Sequence, residues 1–219
     1  MTLIAEHMKS AAAGTGEVRE RILLAAARCF SASGFHSTSM QQICASAQMS
    51  PGGVYRYFSS KDDIIAAIAD HVRQRNNEYF GRMAAEGANL QTFCDVGFAC
   101  LNDQMNGPEG GLFCEVVAEA QRNPQIRVPF ENSYKESREM LRAVLARLQS
   151  QSQIEPSLDI DAVASMLMAI GDGLLMRSRL DPEMNFAALW PALNELILRM
   201  LLPTASASTQ PTKETPVQS

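Results

Sequence analysis

Much of what would announce a function is missing from this chain. Its five cysteines, Cys29, Cys44, Cys94, Cys100 and Cys114, never form a Cys-x-x-Cys pair, and none stands at ligand spacing from a histidine. An odd count scattered through apolar segments also excludes a disulfide framework and fits buried thiols in a reducing cytoplasm. Cys94 and Cys100 are six residues apart, about 240° around a helix, so they are not expected to share a face. The three histidines, His7, His36 and His71, lie far apart without acidic or thiol companions and read as surface or cap residues. No Gly-x-Ser-x-Gly and no paired carboxylate–histidine set occurs, so neither an enzyme nor a cofactor is expected.

Positive charge is scarce as well. The 219 residues carry a formal net charge of -5, which excludes a molecule that is basic throughout. Only locally does the sign reverse. In residues 1–61, Lys9, Arg19, Arg21, Arg28, Arg56 and Lys61 outnumber Glu6, Glu17 and Glu20, a mild basic excess compatible with a DNA-reading end. The N-terminus lacks a basic start followed by an apolar run, so no signal peptide is read. The most apolar stretch, "AVASMLMAIGDGLLM" (162–176), is interrupted by Asp172 and too short to cross a bilayer. A cytoplasmic protein without a membrane partner is the expectation.

What is present is helical periodicity; no run alternates like a strand. With 46% hydrophobic and 20% charged residues, an all-α globular fold is expected. Residues 1–16 read as a flexible arm. A first helix should run from about Glu17 to Ser33, with Val18, Ile22, Ala26, Cys29 and Phe30 on one face. Gly34 ends it, and Phe35 packs back on Phe30. Thr38 or Ser39 can cap a second, short helix, with Gln41 or Gln42 closing a capping box and Met40, Ile43 and Ala47 forming its stripe.

Ser50-Pro51 then starts a third helix, hydroxyl cap followed by proline at the first position. Ser60 starts a fourth, led by Asp62 and Asp63, striped by Ile64, Ile65, Ile68 and Val72 and reaching about Phe80. Longer helices follow at roughly 89–105, 112–122, 125–150, 158–179 and 185–202, separated by "GPEGG" (107–111), Pro124, "SQIEP" (152–156) and Asp181-Pro182. Residues 203–219 are low-complexity, polar and expected to be disordered.

The second and third helices, joined by a short turn, form a helix-turn-helix. With Val54 and Phe58 facing the core, Gly52 and Arg56 point away from it, and Gly53 and Tyr55 flank them. Glycines there let the backbone approach another surface, and arginine can chelate a guanine edge or a phosphate. Taken alone, "VYRYF" would also suit an ordinary core helix end with one solvent-facing arginine.

The segment "TSMQQICASAQMSPGGVYRYFSSKDDI" resembles the DNA-binding signature of the TetR/AcrR family of one-component transcriptional regulators. Thr38, Ile43, Ala47, Ser50, Gly52, Val54, Tyr55, Tyr57, Phe58, Lys61 and Ile64 match it in register, and the specific resemblance covers residues 18–72. Cys44 stands where alanine is usual, Met49 where valine is usual, and Gln48 where glycine is usual. The last would cost about 1 kcal/mol if the turn needs positive φ.

The resemblance implies a DNA-binding head at 17–80, including the start of a linking fourth helix, and a ligand-binding and dimerisation domain at 81–202. It implies that Thr38 and Ser39 hold phosphates, that Ser50, Pro51, Gly52, Gly53, Tyr55 and Arg56 face the major groove, and that Tyr57 and Lys61 grip the backbone. The partners implied are double-stranded operator DNA, a second copy of the chain and a small apolar or amphiphilic effector. Repression released by that effector is the expectation. An activator is the alternative within the family, and a helical enzyme or adaptor stands further off.

A methionine-rich C-terminal part suits an adaptable pocket, for which Phe98, Met105, Phe113, Met140 and Met166 are candidate linings and Asp103, Glu115 and Asp172 candidate polar anchors. A dimer surface is expected along Ile160, Val163, Leu167, Ile170 and Leu174, and along Phe186, Leu189, Leu193, Leu196, Ile197 and Met200.

Overall fold

A computed structural model describes residues 2–107 and 112–203. Among these residues the protein is all-helical, as expected, with α1 Thr2–Ser33, α2 Met40–Ser46, α3 Pro51–Tyr55, α4 Lys61–Ala84, α5 Leu90–Asn106, α6 Leu112–Ala120, α7 Pro124–Ser150, α8 Ile160–Leu180 and α9 Phe186–Leu201. Most of "GPEGG" and nearly all of the polar tail lie outside the described residues. The first helix begins at Thr2 instead of near Glu17, so the segment expected as a flexible arm is helical. The reason lies in its composition: Ala11, Ala12 and Ala13 are strong helix formers, and no proline precedes Pro51.

Local caps set most of the boundaries. Ser39 accepts a hydrogen bond from the Gln42 N–H, and the Gln42 side chain accepts one from the Ser39 N–H at 2.7 Å, completing the capping box. Ser50 accepts from the Gly53 N–H, and Ser60 from the Asp63 N–H. Asn89, Asn123, Asp159 and Asn185 cap α5, α7, α8 and α9 in the same way. Each cap satisfies an N–H that the first turn leaves without a partner, worth about 1 kcal/mol apiece.

The interior falls into three apolar clusters. The first joins α1 to α4 through Ile22, Phe30, Ile43, Val54, Phe58, Ile64 and Ile68, and it continues without a break into Leu112, Val116, Ala120 and Ile126 of α6 and α7. The helix-turn-helix core is therefore shared with the C-terminal half. The second cluster is built around Leu145, Leu148, Ile154, Val163 and Leu201. The third gathers Met105, Leu175 and Phe186 with the rings of Phe98 and Trp190. Helix α4 runs past residue 80 along α7. There Arg147 donates to the carbonyls of Met83, Ala84 and Ala85 at 2.5–3.2 Å, closing the C-terminal end of α4.

Candidate DNA-reading head and effector cavity

The head is assembled from α1 to α4 around the helix-turn-helix. Phe30 and Phe35 meet with ring centroids 5.3 Å apart across the Gly34 stop, whose φ of 79° requires a left-handed turn. Gln48 also takes positive φ, 55°, in the turn between α2 and α3, so the strain anticipated for a residue in place of glycine is present. Val54 and Phe58 are buried against α2 and α4. Tyr55 is 51% exposed, and Pro51, Gly52 and Arg56 share its open face.

The two glycines of α3 are not equivalent. A Cβ placed on Gly52 would meet nothing within 4 Å, so the fold itself has no need of glycine there. A Cβ on Gly53 would lie 3.2 Å from the Met49 Cε and 3.3 Å from the Ser50 Oγ, crowding the cap. Gly52 has room for a side chain, whereas Gly53 is crowded. Arg56 lies over the Tyr57 ring, 5.6 Å from its centroid, and that ring packs on the head core.

Two residues expected at the phosphates are engaged elsewhere. Thr38 is 2% exposed, and its hydroxyl is within donating distance of the Gly34 carbonyl (2.8 Å) and the Cys29 carbonyl (3.1 Å). It locks the end of α1 to the start of α2. Lys61 points its ammonium back into the fold, donating to the carbonyls of Phe35 (2.8 Å), Thr38 (2.7 Å) and His36 (3.4 Å), with the Phe35 ring 4.7 Å away. An ammonium has three donors, and three carbonyls take them. Both side chains fasten the same turn. Ser39 remains exposed, with its hydroxyl in the capping box.

That turn also touches the C-terminal half. The Phe35 N–H donates to the Glu115 Oε2 at 3.1 Å, and the His36 Nε2 lies 2.8 Å from the Glu119 Oε2, a carboxylate buried on α6 beside Arg122. Glu115, proposed from sequence as a pocket anchor, is thus a strut between α6 and the helix-turn-helix. Its partner lies eighty residues away, and no local pattern points to it.

On the other side of α6 lies a half-open cavity of about 270 Å³ lined by α4 to α9. Leu112, Phe113 and Val116 of α6 form part of its wall, so α6 touches both the cavity and the head. Of the pocket candidates, Phe113 and Asp172 line it. Phe98 stacks on Phe186 with centroids 5.5 Å apart, and Met105 is buried in that same cluster. Met140 is half-buried away from the wall, Met166 faces solvent, and Asp103 pairs with Arg75 at 3.4 Å.

The expected dimer stripe is divided. Leu167, Ile170, Leu193 and Ile197 line the cavity instead. Val163 is buried, Ile160 and Met200 pack on the second cluster, and Leu174 and Phe186 belong to the third. Only Leu189 and Leu196 remain exposed, joined by Met166, Met176, Leu180 and Leu202. The stripe is broad because it serves two sides of each helix.

Cys94 and Cys100 both reach the cavity, against the expectation from their spacing, because about 240° one way around α5 is about 120° the other and they stand at the two edges of one broad face. Burial pushes both thiols up to about 11, so they are neutral and poorly nucleophilic at physiological pH. Burial alone raises the Asp172 carboxyl to about 6. Among the described residues no cluster of histidine, cysteine and acidic side chains could hold a metal ion, and no helix is long and apolar enough to cross a membrane.

The geometry agrees with what the chain is similar to. Residues 22–68 match the family model of bacterial regulatory proteins, tetR family, and residues 88–202 match that of the BetI-type transcriptional repressor, C-terminal. The HTH-type transcriptional regulator UidR of Escherichia coli K12 is 32% identical over 157 residues, covering 72% of this chain and 79% of UidR. The solved structure of Salmonella enterica GusR superposes with a TM-score of 0.69 at 30% identity, covering 84% of this chain and 95% of GusR. A Bacillus subtilis regulator, FadR, solved with stearoyl-CoA, shares the fold alone, with a TM-score of 0.68 at 19% identity over 81% of this chain and 96% of its own. These relatives are transcriptional regulators and not enzymes. The chain belongs to the TetR family of transcriptional regulators.

Proposed function

We propose that the protein is a homodimeric repressor that leaves a pseudo-palindromic operator when a small apolar or amphiphilic effector enters the cavity. The observation that carries this reading is the double engagement of α6. Its inner face walls the cavity through Leu112, Phe113 and Val116, while Glu115 and Glu119 hold the turn before α2. An occupant that displaces α6 must pull on both carboxylates and reorient the head. A ligand shifts such an equilibrium only by its difference in affinity between the two states.

The division of labour follows the chain, with the head at 17–80, effector and dimer functions at 81–202, and the exposed leucines and methionines of α8 and α9 as the contact between copies. Dimerisation would set two α3 helices about 34 Å or a multiple apart, one per half-site. Residues Ser39, Ser50, Pro51, Gly52, Gly53, Tyr55 and Arg56 face the duplex. Thr38, Lys61 and the Tyr57 ring support that face from behind.

Gel shifts with the DNA upstream of the protein's own gene test the reading. Arg56→Ala should lose operator binding about tenfold or more while the dimer mass persists. Gly52→Ala should raise thermal stability by about 0.5–1 kcal/mol, through helix propensity, and still weaken DNA binding. Unchanged affinity in both variants sinks the assigned face. Transcription in vitro should fall when the protein is added, and a rise would favour the activator.

A further inference from the structure

The charges in the cavity wall are few. Of its described residues only Arg75 and Asp172 carry formal charge; the rest are largely aliphatic and aromatic, with Asn76, Gln104, Ser133, Tyr134 and Ser137 adding neutral polar groups. Arg75 is engaged, because its guanidinium pairs with Asp103 at 3.4 Å. Asp172 is different. It interrupts the apolar run 162–176 of α8, and among the described residues no ion pair or hydrogen bond reaches its carboxylate. A carboxylate without a counter-charge in an apolar chamber is costly, and an occupant bearing the opposite charge removes that cost.

We propose that the effector is an amphiphilic organic cation, an amine or related ammonium on an apolar body, whose nitrogen pairs with Asp172. The proposal rests on the reading of the cavity as the effector site. Aromatic walls such as Phe113, Phe130 and Tyr134 suit the cationic end as well as the apolar one. An anionic amphiphile of the same shape would bring a second negative charge toward Asp172, and a neutral alcohol could donate one hydrogen bond to it without neutralising its charge.

The charge state of the site makes a second signature. Burial holds the Asp172 carboxyl near 6, so the carboxylate that a cation needs forms between about pH 5 and pH 7.5. The other ionisable groups of the cavity wall are Tyr134, Cys94, Cys100 and Arg75. Tyr134 on α7 is raised by burial and by Asp172 itself, Cys94 and Cys100 on α5 stay near 11, and Arg75 on α4 is paired. Arg138, whose charge reaches Tyr134, is committed to Asp161 and Ser165.

Calorimetric titration of the full-length protein with octylamine, octanol and octanoate tests the inference. Octylamine should bind about tenfold or more tightly than octanol, and octanoate most weakly. Octylamine affinity should rise from about pH 5 to pH 7.5, while octanol stays flat. Asp172→Asn should bring octylamine to the level of octanol and leave octanol within about threefold. Equal binding of amine and alcohol by the wild-type protein overturns the assignment, as does an octylamine affinity that ignores pH or the substitution. If none of the three binds to protein that still shifts the operator, the cavity is not the effector site and both readings fall together. The pH series needs only the wild-type protein, so it decides even if the variant folds poorly.

Discussion

Helices α3 and α8 stand in opposite relation to their own sequence. In α3, five residues long, nearly every position has one environment: Val54 is core, Ser50 and Pro51 begin the helix, and Gly52, Tyr55 and Arg56 are open. In α8 the same residue types meet different fates. Val163 is buried in the second cluster, Leu167 and Ile170 line a cavity, and Met166 and Met176 face solvent. A hydrophobic side chain indicates only that it avoids water; whether a core, a ligand or another subunit supplies the cover depends on what lies opposite. A short helix with one buried face leaves little choice, whereas a long helix between a cavity and an outer surface leaves three.

The sharpest way to break this comparison is through adjacent residues of α9. Leu196 is 63% exposed, whereas Ile197 is buried against the second cluster. Leu196→Glu should leave the monomer folded and weaken dimerisation by about a hundredfold or more, visible by sedimentation, with operator binding falling in step. Ile197→Glu should instead fail to fold, because it buries a charge without a partner. A dimeric Leu196→Glu would mean that the outward leucines are not the contact between copies.

Lys61 sharpens the head. If it grips DNA, as the family signature implies, its removal changes only operator affinity. Because it donates to three backbone carbonyls, Lys61→Met should cost about 2–3 kcal/mol of folding stability, read from the denaturation midpoint without DNA. Stability unchanged in that variant would return Lys61 to the phosphates.

The smallest effect concerns the turn. Gln48→Gly relieves about 1–2 kcal/mol of left-handed strain and adds about 0.5–1 kcal/mol of chain entropy to the unfolded state. A net gain of roughly 0.5 kcal/mol is expected, with operator affinity showing whether the angle between α2 and α3 depended on that residue.

The starts of α2, α3 and α4 are readable to within a residue or two because their determinants are local. Ser39, Ser50 and Ser60 each bond to an N–H three residues on. Asp172 could be noticed as well, since a carboxylate in so apolar a stretch breaks the pattern around it. The start of α1 is not legible in the sequence, because small residues describe a loose arm and a helix equally well. Methionine is a poor guide to the cavity: Met105, Met140 and Met166 do not line it, and a hydrophobic residue at helical spacing suits any apolar environment.

The sequence by itself determined the all-helical class, the capped helix-turn-helix and its open face, because a cap or a turn is a bargain among neighbours in the chain. Only the tertiary structure decided that Thr38 and Lys61 fasten a turn, that Glu115 joins α6 to the head, and which leucines line a cavity. The Lys61 ammonium finds Phe35 across twenty-six residues and the Glu115 carboxylate across eighty. Such partners are chosen by how helices pack, and packing depends on the whole set of apolar faces at once.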